Sequence, residues 1–112
     1  MTDSDAVLAA NLEFYRAFTA RDLVAMEALW ARQAPVGCIH PGWPALTDRD
    51  AVIDSWRGIL GNPDAPRIAC YDEQVLLYGD SALVVCPAAW PSKISLLERS
   101  GYRTAKLWML RR

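Results

Sequence analysis

The order of apolar and polar positions divides this chain into a helical first half and a strand-like second half. Ser4 to Ala20 places apolar and aromatic side chains at three- and four-residue spacings, which predicts an amphipathic helix. Thr2 and Asp5 can form a capping box at its start. Asp22 is then the predicted N-cap of a second, short helix.

A third helix is predicted between a capping box and a clear stop signal. Thr47 is the predicted N-cap, and the Asp50 carboxylate can return to the backbone N–H of that cap. Gly61-Asn62-Pro63 ends the helix. Its inward-facing positions are Val52, Ser55, Trp56 and Ile59.

From Arg67 onward the apolar period changes from about 3.6 to 2, which is typical of strands. Two such runs, Arg67–Tyr78 and Ser81–Cys86, are joined at Gly79-Asp80, which predicts a hairpin. Prolines at positions 87 and 91 are expected to interrupt the ladder, as at a sheet edge or a bulge.

The last part of the chain allows two interpretations. Ile94 to Glu98 and Tyr102 to Leu110 flank Ser100-Gly101, which fits a second hairpin. A short helix beginning at Ser92 competes for residues 93–99. In either case three helices precede a run of antiparallel strands. We therefore predict one α+β domain over residues 1–112, with the helices on one face of a curved sheet.

Composition and charge narrow the classes of function. The net charge is −1, the pI is about 5.7, and residues 1–100 show no basic stripe, so a nucleic-acid partner is not expected. The longest uncharged run, Ser81 to Ser92, is too short to span a bilayer. The acidic N-terminus does not resemble a signal peptide, so we expect a cytoplasmic protein.

The three cysteines are odd in number and widely spaced in apolar segments. That pattern predicts buried free thiols in a reducing compartment. With no C-x-x-C or Cys/His cluster, neither a metal site nor a cofactor is expected. The cysteines are Cys38, Cys70 and Cys86.

Several motifs together resemble the SnoaL-like branch of the nuclear transport factor 2-like superfamily. They are Phe14-Tyr15-Arg16-Ala17-Phe18 leading to Asp22-Leu23, then Cys38-Ile39-His40-Pro41-Gly42-Trp43, and then Ala51 to Trp56. The resemblance is clearest over residues 7–86. It implies a cone of helices on a bent sheet, with a pocket at the wide end and a homodimer through the outer sheet face. Residues 87–112 diverge, because the strand with Trp108 lacks the histidine pair that usually follows in relatives.

The resemblance also suggests roles for single residues. In the ketosteroid isomerase branch an aspartate followed by proline is the general base, and His40-Pro41 stands at that place here. The position of that branch's oxyanion-hole tyrosine holds Phe14, which cannot donate a hydrogen bond, while the neighbouring Tyr15 points about 100° away on a helix. No acid occurs within Leu83 to Trp90, where a protonated aspartic acid would be expected. Steroid isomerisation is therefore rejected.

His40 remains the candidate catalytic residue, because an imidazole can accept a proton near neutral pH. Phe14, Tyr15, Trp43 and Trp56 are the candidate ligand-binding residues, with packing in the core as their alternative role. Alternation places Val36, Cys38 and His40 on one face of a short predicted strand that Pro41-Gly42 ends. By strand geometry Cys38 then lies about 7 Å from His40, which is too far for a thiol–imidazole pair.

Two hypotheses for function remain open. In the first, the chain is a pocket protein for a small apolar ligand, and as a lyase, isomerase or cyclase it would use His40 to move a proton on a carbonyl-bearing molecule. In the second, it is a non-catalytic dimerisation module of the same fold, with its tryptophans as contact surface. Fold alone does not decide between them.

Overall fold

The computed structural model describes residues 2–40, 42–65, 68–89 and 103–109, with the backbone alone for 87–89 and 103–109. The helices come first and the strands follow, which confirms the α+β prediction. The helices are α1 Asp3–Ala20, α2 Leu23–Ala28 and α3 Arg49–Gly61. The strands are β1 Ala69–Cys70, β2 Gln74–Tyr78, β3 Ser81–Ala89 and β4 Arg103–Met109.

The ends of α1 and α2 follow from short polar side chains at the predicted positions. Thr2 and Asp5 form the predicted capping box, each side chain accepting the other residue's backbone N–H at 3.1 Å. Asp22 caps α2 by accepting from the N–H of Ala25 at 3.0 Å. Arg21, with φ +57, ends α1 in the left-handed conformation. The chain can therefore turn from α1 into α2 within two residues.

The predicted cap of α3 is wrong by one residue. Asp48, rather than Thr47, is the N-cap, and its carboxylate accepts from the N–H of Ala51 at 3.2 Å. A carboxylate is a strong cap and also interacts favourably with the positive end of the helix dipole. The helix ends at Gly61 with Asn62 as its C-cap, as predicted.

The strands form an antiparallel sheet with β3 in the middle. The hairpin at Gly79-Asp80 is confirmed: Tyr78 pairs with Ser81, and Gly79 has φ +59, which suits a two-residue loop. On its other side β3 pairs with β4, from Ser81 opposite Met109 to Pro87 opposite Arg103. The strand predicted within 102–110 is therefore present, whereas residues 94–98 lie outside the described part.

The predicted strand Arg67–Tyr78 is divided into β1 and β2 by a β-bulge, and Arg67 itself lies outside the described residues. Cys70 pairs with Ala88 and Gln74 with Val85, so three residues of this edge oppose two of β3. Asp72, in the bulge, has φ +51. The expectation that Pro87 interrupts the ladder is wrong for β3, which continues to Ala89, and the bulge lies in the neighbouring strand. Pro91 lies outside the described residues.

The apolar core lies between the three helices and extends to the sheet. Its larger cluster joins one face of each helix, and a smaller cluster links α1 to β3 through Val7, Ala82 and Val84. The buried members of the larger cluster are Ala17, Phe18, Met26, Val52, Trp56 and Leu60. Because α1 contributes to both clusters, it fixes the helices relative to the sheet. No helix in the described part of the chain has the length and apolarity needed to cross a bilayer.

The prediction that all three cysteines are free thiols is wrong. Cys70 in β1 and Cys86 in β3 form a disulfide, and only Cys38 keeps a free thiol. Pairing of the two strands brings the Cα atoms to 6.1 Å, within the range that a disulfide requires. The two residues are 16 positions apart, so only the fold brings them together.

Candidate functional site

His40 lies on a tight loop between α2 and α3. Just before it, Cys38 and Leu46 form an isolated bridge with reciprocal backbone hydrogen bonds of 2.9 and 2.8 Å. The His40 carbonyl then accepts from the N–H of Trp43 at 2.9 Å, and Gly42 has the positive φ (+82°) that this turn requires. The loop is therefore fixed at both ends, and His40 is 8% exposed.

The imidazole is hydrogen-bonded to α3. His40 Nε2 lies 2.9 Å from Ser55 Oγ, and the Ser55 hydroxyl donates to the carbonyl of Val52, one helical turn earlier, at 2.6 Å. Ser55 is itself buried on the inner face of the helix. Sequence reasoning did not assign Ser55 a base, because Ser55 and His40 are 15 positions apart and the sequence does not show the contact.

Two tryptophan rings pack edge-on against the imidazole. The ring centroids of Trp43 and Trp56 each lie 4.9 Å from that of His40, at interplanar angles of 72° and 82°. Trp43 is 47% exposed, whereas Trp56 is 4% exposed and also contacts Phe14 and Phe18 at 5.5 Å. The more exposed ring, Trp43, therefore lies against His40 from the surface, and Trp56 connects His40 to the core.

The expected separation of Cys38 and His40 is wrong, because the two side chains touch. Cys38 Sγ lies 3.6 Å from His40 Nε2 and 4.0 Å from Nδ1. Strand spacing does not apply, since only Cys38 is in a bridge and His40 already begins the turn that ends at Trp43. Burial raises the pKa of the Cys38 thiol and lowers the pKa of His40. Both shifts oppose a thiolate–imidazolium pair, so the contact is between neutral groups.

Phe14 and Tyr15 occupy different surroundings, as neighbours on a helix do. The Phe14 ring contacts Trp56 at 5.5 Å and Tyr15 at 5.1 Å. The Tyr15 hydroxyl lies 3.8 Å from Cys86 Sγ of the disulfide. The structure thus groups Phe14 and Trp56 with the His40 surroundings and places Tyr15 beside the disulfide.

Tyr15 also lines an open groove of about 380 Å³ between α1 and the chain around β1. Asn11, one turn earlier, is 2% exposed and donates from Nδ2 to Cys70 Sγ at 3.6 Å. Its Oδ1 is buried without a hydrogen-bond partner in the described structure. The sequence signal was a polar residue on the apolar stripe of the first helix. The groove lining is Asn11, Leu12, Tyr15, Arg16, Thr19, Ala20, Ile68, Ala69, Cys70 and Glu73.

The described residues contain no group of three or more His, Cys, Asp or Glu side chains arranged to hold a metal ion. The side-chain groups that contact the His40 imidazole are one hydroxyl, one thiol and two indole rings. The neutral imidazole itself is the group suited to accept a proton near neutral pH.

Comparison with known proteins shows the family of the chain. A family model described as a SnoaL-like domain matches residues 7–103. The chain belongs to the SnoaL-like domain family. No curated protein matches it by sequence.

Two crystal structures resemble this SnoaL-like domain at about one-third identity. One, from Streptomyces avermitilis, is named provisionally as a dehydratase of the NTF2-like family; it is 33% identical with a TM-score of 0.71, over 78% of this chain and 66% of its own. The other, from Thiobacillus denitrificans, is named provisionally as a calcium/calmodulin-dependent protein kinase type II association domain. It is 34% identical with a TM-score of 0.63, over 71% of this chain and 64% of its own. The chain thus spans just under two thirds of the length of either.

These two names describe different kinds of protein on the same fold, one a dehydratase and one an association domain. The fold of this SnoaL-like domain therefore does not by itself give its function, which has to be argued from the surroundings of His40.

Proposed function

We propose that this SnoaL-like domain binds a small apolar molecule carrying a carbonyl group, and that His40 moves a proton on it. The observation that supports the proposal is a nearly buried imidazole held between two indole rings and hydrogen-bonded to Ser55. Burial lowers its pKa, so the proton-accepting form predominates at neutral pH. A general base needs such a form in a largely dry site.

The reaction class we propose is loss of water from a β-hydroxy carbonyl compound. His40 takes the proton from the carbon between the carbonyl and the hydroxyl-bearing carbon. The electrons of that C–H bond form the C=C bond as the C–O bond breaks, and the leaving oxygen takes the proton back from the imidazolium as water. His40 ends neutral, so the step needs no oxidant, reductant or cofactor. The dehydratase name of the Streptomyces relative supports this class.

Trp43 is the aromatic side chain that we expect to contact the ligand. It is half-exposed and lies against His40, so a flat apolar molecule could pack on its face. Trp56 and Phe14 would form the inner wall of the same site, because their rings pack together next to His40. Tyr15 lies beside the disulfide and not beside His40, so we assign it no ligand contact in this site.

Replacement of His40 by Gln tests the proposal, because Gln can still hydrogen-bond to Ser55 but cannot act as a base. The probe is a β-hydroxy ketone bearing a phenyl ring, whose dehydration gives a conjugated enone that is followed by ultraviolet absorbance. We expect turnover to fall by about a hundred- to ten-thousand-fold, the usual contribution of a positioned base. Asp54→Asn, an exposed change on α3, is the matched control and should retain activity.

Two results would count against the proposal. Full activity of His40→Gln would exclude His40 as the base. The ligand class would be excluded if the wild-type protein does not dehydrate the hydroxy ketone and also does not bind the same ketone without its hydroxyl. Ligand-observed NMR measures that binding.

A second candidate function is a non-catalytic association module. Leu76, Leu77 and Tyr78 of β2 are exposed apolar side chains on the sheet, and the Thiobacillus relative carries the name of an association domain. Light scattering after gel filtration tests this function. Two results together would favour the association module over the enzyme: a homodimer that Leu77→Lys converts to monomers, and no activity of the wild-type protein toward the hydroxy ketone.

A further inference from the structure

We propose that Ser55 is a positioning residue that holds His40 in the tautomer protonated on Nε2, so that Nδ1 is the atom that accepts the substrate proton. The catalytic part of this inference rests on the proposed function. The tautomer itself does not, because it follows from hydrogen bonds within the protein. Each neutral imidazole has one N–H and one lone-pair nitrogen, and the partner of either nitrogen decides which is which.

The direction of the Ser55 hydrogen bond determines the assignment. A serine hydroxyl has one proton. The Ser55 Oγ lies 2.6 Å from the Val52 carbonyl oxygen, which can only accept, and 2.9 Å from His40 Nε2. If the hydroxyl proton goes to the carbonyl, Oγ must accept from Nε2–H. Both Ser55 and Val52 belong to α3, so the helix fixes the hydroxyl in this direction.

The other ring nitrogen then carries the lone pair. His40 Nδ1 is 4.0 Å from Cys38 Sγ, at the outer limit for a hydrogen bond involving sulfur, whereas Nε2 is close to both Ser55 and Cys38. Thiols are weak hydrogen-bond donors, so Cys38 competes poorly for Nδ1. The two indole rings packed edge-on against the imidazole hinder rotation that would exchange the nitrogens. Nδ1 is thus the better proton acceptor.

His40 is the only histidine in the chain, so its two nitrogens can be observed without assignment. Long-range proton–nitrogen NMR correlation on histidine-labelled protein, above the ordinary pKa of 6.5, distinguishes the tautomers by the separation of the two nitrogen shifts. We expect the wild-type protein to show the Nε2–H pattern. This first measurement requires no variant, no substrate and no activity.

Two variants then test the role of Ser55. Ser55→Ala should bring the two nitrogen shifts closer together as the Nδ1–H form becomes populated, and Ser55→Thr, which keeps a hydroxyl on the same helix, should restore the wild-type pattern. Ile53→Val, a buried change on α3, is the control for altered packing and should leave the shifts unchanged. With the hydroxy ketone, Ser55→Ala should lower kcat by about ten- to a hundredfold at unchanged KM, part of what a positioned base contributes.

The outcomes separate this inference from the proposed function. An Nδ1–H pattern in the wild-type protein, or shifts unaffected by Ser55→Ala, would overturn the positioning role, whether or not the protein is an enzyme. The expected NMR pattern together with a fully active His40→Gln would retain the tautomer assignment and refute only the catalytic use of Nδ1.

Discussion

Reduction of the Cys70–Cys86 disulfide is expected to destabilise the domain by an amount that follows from its position in the chain. The bond closes a loop between residues 16 positions apart. In the chain-entropy treatment such a crosslink stabilises the folded state by about 3 kcal/mol, since it restricts the unfolded chain. Its removal should therefore cost about that much free energy of unfolding.

This free energy corresponds to a measurable change in melting temperature. The entropy of unfolding scales with chain length, and for 112 residues a loss of about 1 kcal/mol in the free energy of unfolding lowers the Tm by about 4 °C. Reduction should thus lower the Tm by about 10–13 °C. The Asn11 and Tyr15 contacts to the two sulfurs are long, at 3.6 and 3.8 Å, so their loss should add little.

The assay is thermal unfolding followed by circular dichroism, with and without a phosphine reductant, and with the thiol count of each sample read by alkylation and intact mass. Cys38→Ala should retain the response to reductant, because Cys38 is outside the disulfide. The double variant Cys70→Ala/Cys86→Ala should melt lower and not respond to it.

Two results would refute this reasoning. A Tm change below about 3 °C in a sample with both thiols shown to be free would contradict the loop-entropy argument. Three free thiols in the untreated protein would contradict the pairing itself. A disulfide present in the protein as it occurs in cells would contradict the prediction of a cytoplasmic protein, since that prediction assumed a reducing compartment.

Three further predictions concern stability. Burial lowers the pKa of His40 from its ordinary value of 6.5, so the unfolded chain binds a proton at His40 more tightly than the folded chain does. Stability should therefore fall as the pH is lowered through 6.5. The urea midpoint should decrease between about pH 7.5 and about pH 5.5, and the part of that decrease that comes from His40 should be absent in His40→Asn. Asp48→Ala should lower the free energy of unfolding in urea by about 1 kcal/mol, and Thr47→Ala should lower it much less. A larger loss for Thr47→Ala would show that Thr47 is the N-cap. Met26→Ala, at a fully buried position, should cost about 2–5 kcal/mol, and a loss below 1 kcal/mol would mean that the site collapses around the smaller side chain.

Local sequence was sufficient for the elements whose signals lie within a few residues. The cap at Thr2 and the N-cap at Asp22 each depend on a side chain and a backbone N–H three residues away. The hairpin at Gly79-Asp80 depends on residues that tolerate positive φ between two alternating runs. Such interactions are almost independent of the remaining fold, so their pattern is visible in the sequence.

The choice of His40 as the candidate base could also be made from sequence, but its surroundings could not. Strand alternation placed Cys38 about 7 Å from it, whereas the bridge to Leu46 and the following turn bring the thiol to 3.6 Å from Nε2. The regular geometry assumed for a strand fails where only one residue is bridged.

The tertiary structure alone decided which distant residues meet. Ser55 reaches His40 across 15 positions, and Cys70 reaches Cys86 across 16, through the packing of α3 against the His40 loop and the pairing of β1 with β3. Sequence spacing carries no information about such contacts, because loop closure depends only weakly on length and the apolar core selects which segments come together. The sequence therefore determined the helices, the hairpin and the identity of the imidazole, and the fold determined what that imidazole touches.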